Sequence, residues 1–110
     1  MLLNVKDSAG DTQIVVVQAQ ENPSDASGVI VADGVSQTLV GAFAERSGFL
    51  IQNLSVENPM YINEIGGDAT SPGSFMLVPR AFFPPPGYPV PTGDINIAGS
   101  MGDRYAARVW

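Results

Sequence analysis

The 110-residue sequence predicts an all-β fold: a small antiparallel β-sandwich or jelly-roll-like domain with an N-terminal β-hairpin or arm. Three observations predict it. Short runs rich in Val, Ile and Phe recur, several with apolar and polar residues in alternation, the period of a half-buried strand. Twelve glycines and nine prolines punctuate the chain, at intervals of about eight to twelve residues, the spacing of sandwiches and small barrels. No window of useful length repeats apolar residues at three and four while avoiding Gly and Pro. The best helical candidate, 38–45, is short and interrupted by Gly41.

Residues 2–6 read as a first strand and 13–20, rich in Ile and Val, as a second. Residues 7–11 form the turn, where Gly10 supplies a permissive backbone, so the two strands make a hairpin. Residues 21–28 are polar and contain Pro23, which reads as a linker. A short strand at 29–31 ends at Asp33-Gly34, and 37–43 is a further strand candidate. Residues 48–54 read as a buried strand. Residues 60–65 alternate Met60, Ile62 and Glu64 against Tyr61, Asn63 and Ile65. With 55–59 as the turn, these two are expected to pair as a hairpin. Residues 66–73 read as a long flexible loop, 74–78 and 95–99 as strands, and 104–110 as the closing strand. The chain divides into 1–43, a hairpin and arm or a part of the same domain, and 44–110, the sandwich.

Residues 84–91 hold five prolines in eight positions, flanked or interrupted by Phe82, Phe83 and Tyr88. Proline cannot donate to a strand ladder and favours extended polyproline backbone. Two readings stand: a stiff connection whose aromatics cap the core, or a preorganised contact loop that loses little entropy on binding.

Only 15% of the residues are charged, against about 25% in an average domain. Either neutral polar side chains solvate the surface, or a partner covers part of it. The net charge is −6 and is uneven. Residues 1–45 hold six acids and one base, while 46–110 hold five acids and four arginines. Five scattered bases in an acidic chain argue against nucleic acid and against an anionic membrane surface. The longest apolar runs are about four residues, too short to span a bilayer, and residues 1–5 lack the charge and apolar core of a signal peptide.

Cys and His are absent and Lys occurs once, so the common nucleophile–base pairs cannot be assembled. Eleven acids make a carboxylate pair inevitable by chance, but none sits in a distinctive motif. The stretch 7–11 resembles a fragment of an oxygen-ligand loop, without the alternating acids of an EF-hand. Neither 66–68 nor 99–102 ends in the Gly-Lys-Ser/Thr of a phosphate loop. The expectation is therefore a non-enzymatic protein with no cofactor and no metal. For a sugar site, Tyr61, Tyr88, Tyr105 and Trp110 are the available aromatics.

Arg46-Ser-Gly-Phe-Leu-Ile-Gln-Asn-Leu-Ser55, then Met60-Tyr-Ile-Asn-Glu64, Gly66-Gly-Asp-Ala-Thr70, Ser74-Phe-Met-Leu-Val-Pro79 and Tyr105-Ala-Ala-Arg-Val-Trp110 follow in order. This second half resembles small β-sandwich virion structural proteins of tailed bacteriophages, of the capsid decoration or cement type. Such proteins often place Gly after the proline that ends the strand; here Pro79 is followed by Arg80. The resemblance implies a location on the outer capsid surface after synthesis in the host cytoplasm. It also implies major capsid protein as partner and a homo-oligomer, dimer or trimer, bridging capsid subunits. Arg46, Arg80, Arg104 and Arg108 are then candidates to pair with capsid carboxylates, or with acids of the same chain. The candidate partner or oligomer contacts are Arg80, Phe82, Phe83, Tyr88, Arg104 and Trp110. The alternative is a head-fibre or tail-associated module that binds host-surface carbohydrate.

Overall fold

The computed structural model describes residues 2–6, 12–16 and 22–110. Leu2–Lys6 (β1) and Thr12–Val16 (β2) pair antiparallel, with Leu2 opposite Val16 and Lys6 opposite Thr12. The expected turn at 7–11 and the expected extension of the second strand over 17–20 lie outside the described residues.

Nine further strands follow: Ser24–Asp25 (β3), Gly28–Val29 (β4), Gln37–Val40 (β5), Phe49–Asn53 (β6), Met60–Asn63 (β7), Phe75–Leu77 (β8), Phe82–Phe83 (β9), Ile95–Ala98 (β10) and Arg104–Val109 (β11). They form two antiparallel sheets, and no helix occurs among the described residues. One sheet has the order β5-β10-β7-β8. In the other, β11 is flanked on one side by β6, which carries β9, and on the other by β3 and β4. Residues 24–40 thus contribute strands to both sheets. The segment read as a linker, 21–28, contains β3 and the first residue of β4, whose second residue falls in the strand read at 29–31; both strands are only two residues long. Strands this short leave no periodic signature.

Alternation sorts the side chains by face. On β6, Phe49, Ile51 and Asn53 are buried and Leu50 is exposed. On β7, Met60 and Ile62 point in while Tyr61 points out. Ile95 and Ile97 from β10, Leu77 from β8, Tyr105 and Ala107 from β11, Phe83 from β9 and Ile30 complete one core between the sheets. Ile51, Met60, Ile62, Ile95 and Ile97 are fully buried. Each contributes about 1.5–3 kcal/mol by leaving water. Four of the five belong to β7 and β10, so the four-stranded sheet's share is comparable with the ~5–15 kcal/mol net stability of a domain, and that layer is not expected to hold without the other.

β6 and β7 do not form the expected hairpin. They lie in different sheets and face each other across the core. Asn53 explains the crossing. Its buried Nδ2 donates to the carbonyls of Asn58 and Leu77, both at 2.9 Å, and its Oδ1 accepts from the Ser55 N–H at 2.8 Å. The Ser55 hydroxyl then accepts from the Asn58 N–H at 2.9 Å. One satisfied polar node inside the sandwich steers the chain from one sheet to the other.

Arg46 is buried and fastens two connections. Its guanidinium donates to the carbonyls of Pro91 (2.6 Å), Gly93 (3.0 Å) and Gly41 (2.6 Å). Its hydrogen bonds go to backbone carbonyls, and the Asp94 carboxylate acts on it through charge.

Candidate functional site

The six sequence-derived contact residues fall in three places. Phe82 and Arg104 belong to the outer side of the five-stranded sheet, and Arg80 to the turn that leads into β9 beside it. Alternation along β11 turns Arg104, Ala106 and Arg108 outward, and the register sets Ala106 opposite Gln52 and Arg108 opposite Leu50. On the other side of β6, Phe82 stands opposite Gln52 and is 58% exposed. Leu50, Gln52, Phe82, Ala106 and Arg108 line a shallow depression of about 200 Å³.

Arg108 pairs with Asp25 at 2.9 Å and also reaches the Ser27 hydroxyl at 3.1 Å. The Asp25 carboxyl is held below its ordinary range, first by hydrogen bonds from Ser27, then by the Arg108 charge. Arg80 and Arg104 are exposed and have no ion-pair partner among the described residues. Arg80 also adopts φ 70°, the left-handed region that favours glycine. The turn after Pro79 therefore takes a glycine-type geometry with an arginine in it. The Arg80 carbonyl accepts from Gln52 Nε2 at 3.0 Å and its N–H donates to the Asn53 carbonyl at 2.9 Å.

Phe83 belongs to the core. It is 6% exposed and its ring packs on Phe49, Phe75 and Tyr88 at centroid distances of 5.9, 5.2 and 5.4 Å. It offers no surface to a partner, which corrects the sequence-based assignment. Its neighbour Phe82 takes the outward position because adjacent strand residues face opposite ways.

Tyr88 and Trp110 meet at the proline-rich connection. Pro84, Pro85, Pro86, Tyr88, Val90 and Trp110 line a groove of about 330 Å³ with the start of β6. The Tyr88 ring closes the aromatic cluster edge-on to Phe75, and its hydroxyl donates to the Glu64 carboxylate. That hydrogen bond, then burial, then the Glu64 charge raise the Tyr88 pKa. Trp110 is half-buried over Gly48, and their backbones pair in both directions. A Cβ at position 48 would overlap the indole Cε2, an impossible contact. The connection combines both sequence readings: two of its aromatics cap the core while its prolines wall a shallow groove.

The largest groove described lies elsewhere, on the outer face of the four-stranded sheet. It holds about 680 Å³. Tyr61 and Ala98, opposite each other on β7 and β10, form its floor. Pro59, Pro72 and the polar residues Asp33, Thr70, Ser71, Ser74 and Ser100 surround them. The 66–74 wall is tied down, in contrast to the flexible loop read from the sequence. Asn63, outward on β7 but buried by the loop, donates to the Asp68 carbonyl (3.3 Å) and the Ser71 hydroxyl (3.4 Å) and accepts from Gly67 N–H (2.9 Å). Asn96 donates to the Gly67 carbonyl at 2.7 Å, and the Ala69 N–H donates to Ser36 at 2.9 Å. Gly67 is required: a Cβ there would lie 2.8 Å from Asn63 Nδ2. Thr70 donates twice to the Asp68 carboxylate and holds its pKa down. Tyr61 is the one lining residue named here that was singled out from sequence, because the others, apart from Ala98 on β10, come from four separate loops.

Among the described residues no group of three or more metal-ligating side chains forms, and no helix is long and apolar enough to cross a membrane. Comparison with protein-family models, with curated proteins and with solved structures gives no match.

Proposed function

We propose that this chain is a non-enzymatic virion structural protein: a decoration or cement protein of a tailed-phage head, bridging major capsid subunits on the outer surface. The observation that carries the proposal is the outer face of the five-stranded sheet. The exposed Phe82 shares a depression there with Leu50 and Arg108, Arg104 points outward from the same sheet, and Arg80 lies two residues before Phe82; Arg80 and Arg104 have no carboxylate partner among the described residues. An aromatic anchor with arginines is the composition of a protein–protein hot spot, and it fits a capsid surface that presents carboxylates around an apolar patch. The edge strand β8, with Met76 exposed and Val78 exposed just beyond it, supports symmetric pairing of copies into a dimer or trimer.

The test is re-addition of purified protein to stripped particles. Wild-type protein is expected to rebind and restore thermal and osmotic resistance. The double variant Phe82→Asp/Arg104→Glu is expected to lose about tenfold or more in occupancy while keeping its melting temperature. If stripped particles are as stable as complete ones, the cementing role is wrong.

A further inference from the structure

The groove on the four-stranded sheet lies on the opposite layer from the proposed docking face, and its chemistry differs. We infer that it is a binding site for a neutral pyranose of a glycan.

Its size falls in the range of small-ligand sites, about 300–1,000 Å³. A pyranose has one flat face of C–H groups and a rim of hydroxyls that both donate and accept. The groove matches each part. The Tyr61 ring, 38% exposed, beside the small Ala98 and flanked by Pro59 and Pro72, offers a flat apolar floor. Ser100 brings a hydroxyl that can donate or accept, and the Ser71 and Ser74 hydroxyls, which bond to each other and to Asn63, keep acceptor capacity for a ligand hydroxyl. Asp33 brings a carboxylate: its Oδ1 accepts from the Met101 N–H at 2.6 Å, which orients the group and leaves Oδ2 for a sugar hydroxyl.

Charge narrows the ligand further. No Lys or Arg lines the groove, and the one ionised lining group is an acid. In a chain of net charge −6, a phosphorylated, sulfated or sialylated ligand would be repelled. A wholly apolar ligand would desolvate the Asp33 Oδ2 and the Ser100 hydroxyl without offering either a partner. The loop wall is already fixed by Asn63 and Asn96. Binding therefore needs little ordering of the protein.

The experiment is a titration of the ¹⁵N-labelled 110-residue chain with methyl glycosides of glucose, galactose, mannose and N-acetylglucosamine, with lactose, with sialyllactose and with a pool of neutral hexapeptides. At least one neutral saccharide is expected to shift the amides of Tyr61, Ser71, Ala98 and Ser100 saturably in the millimolar range. Tyr61→Ala is expected to weaken it about tenfold, Tyr61→Phe about threefold or less, and Asp33→Asn about threefold to tenfold. Should Tyr61→Ala fail to fold, Ser100→Trp, at a half-exposed loop position, fills the groove and must abolish the shifts. The inference is overturned if no neutral saccharide moves these amides at about 50 mM, a concentration well above a millimolar Kd. It is equally overturned if sialyllactose outcompetes lactose, if the hexapeptides occupy the groove in preference, or if the shifts survive Ser100→Trp.

Discussion

Arg80 occupies a backbone region that costs a side-chain-bearing residue about 1–2 kcal/mol, and it does so while exposed and unpaired among the described residues. A glycine would relieve that strain at the cost of some unfolded-state entropy. Arg80→Gly is therefore expected to stabilise the isolated protein by about 0.5–1 kcal/mol, read as a higher denaturant midpoint. If the arginine is there for a partner, the same variant binds particles more weakly although it is more stable. A variant that is less stable than wild type would show that the side chain supports the fold instead. At the same scale, Arg46 shows how little charge type says about role. Its three carbonyl partners come from two connections far apart in sequence, and no local pattern announces them.

The closing element depends on a close approach. The carbonyl of Trp110 accepts from Ser47 N–H (2.6 Å) and Gly48 N–H (3.0 Å), and the indole lies against the bare Cα of Gly48. Gly48→Ala is expected to evict the ring, destabilise the protein by about 1–2 kcal/mol and shift the emission to the red. Trp110 is the sole tryptophan, so the fluorescence reports this site alone. An unchanged spectrum would place the indole elsewhere. Elements with four or more strand residues were legible in the sequence: β5, β7, β10 and β11 all fall inside segments read as strands, as does β6. The two-residue strands β3 and β9 were not, because a ladder that short is set by its neighbour rather than by its own pattern. The partner of β6 was misread for a related reason. Alternation tells which side chains are buried, but it is silent on whether the next strand lies beside or across the core.

Across the whole molecule, two of the three tyrosines lock protons into the fold. The Glu64 hydrogen bond raises Tyr88, and burial raises Tyr105. The native state therefore holds these protons more tightly than the unfolded chain. Their stabilisation is complete below the ordinary tyrosine value of 10.0 and is lost as pH rises through the raised native values. The melting temperature is expected to fall as the pH rises through the range above 10.0, and Tyr88→Phe is expected to flatten part of that fall. A melting temperature constant over that range would contradict the arrangement at Glu64.

Local pattern alone was enough for the all-β class, the N-terminal hairpin and the alternation that sorts Ile62 from Tyr61. These follow from local backbone chemistry and from the two-residue period of a strand. Leu50, by contrast, is exposed on a strand read as buried. Only the tertiary structure decided which strands share a sheet and what became of adjacent similar residues. Phe82 faces out and Phe83 faces in. Arg46 is buried on carbonyls, while Arg104 is left exposed without an ion-pair partner among the described residues. It also brought Asp33, Tyr61, Ser71 and Ser100 to one groove. These outcomes depend on contacts between residues tens of positions apart, which side-chain type and spacing along the chain do not encode.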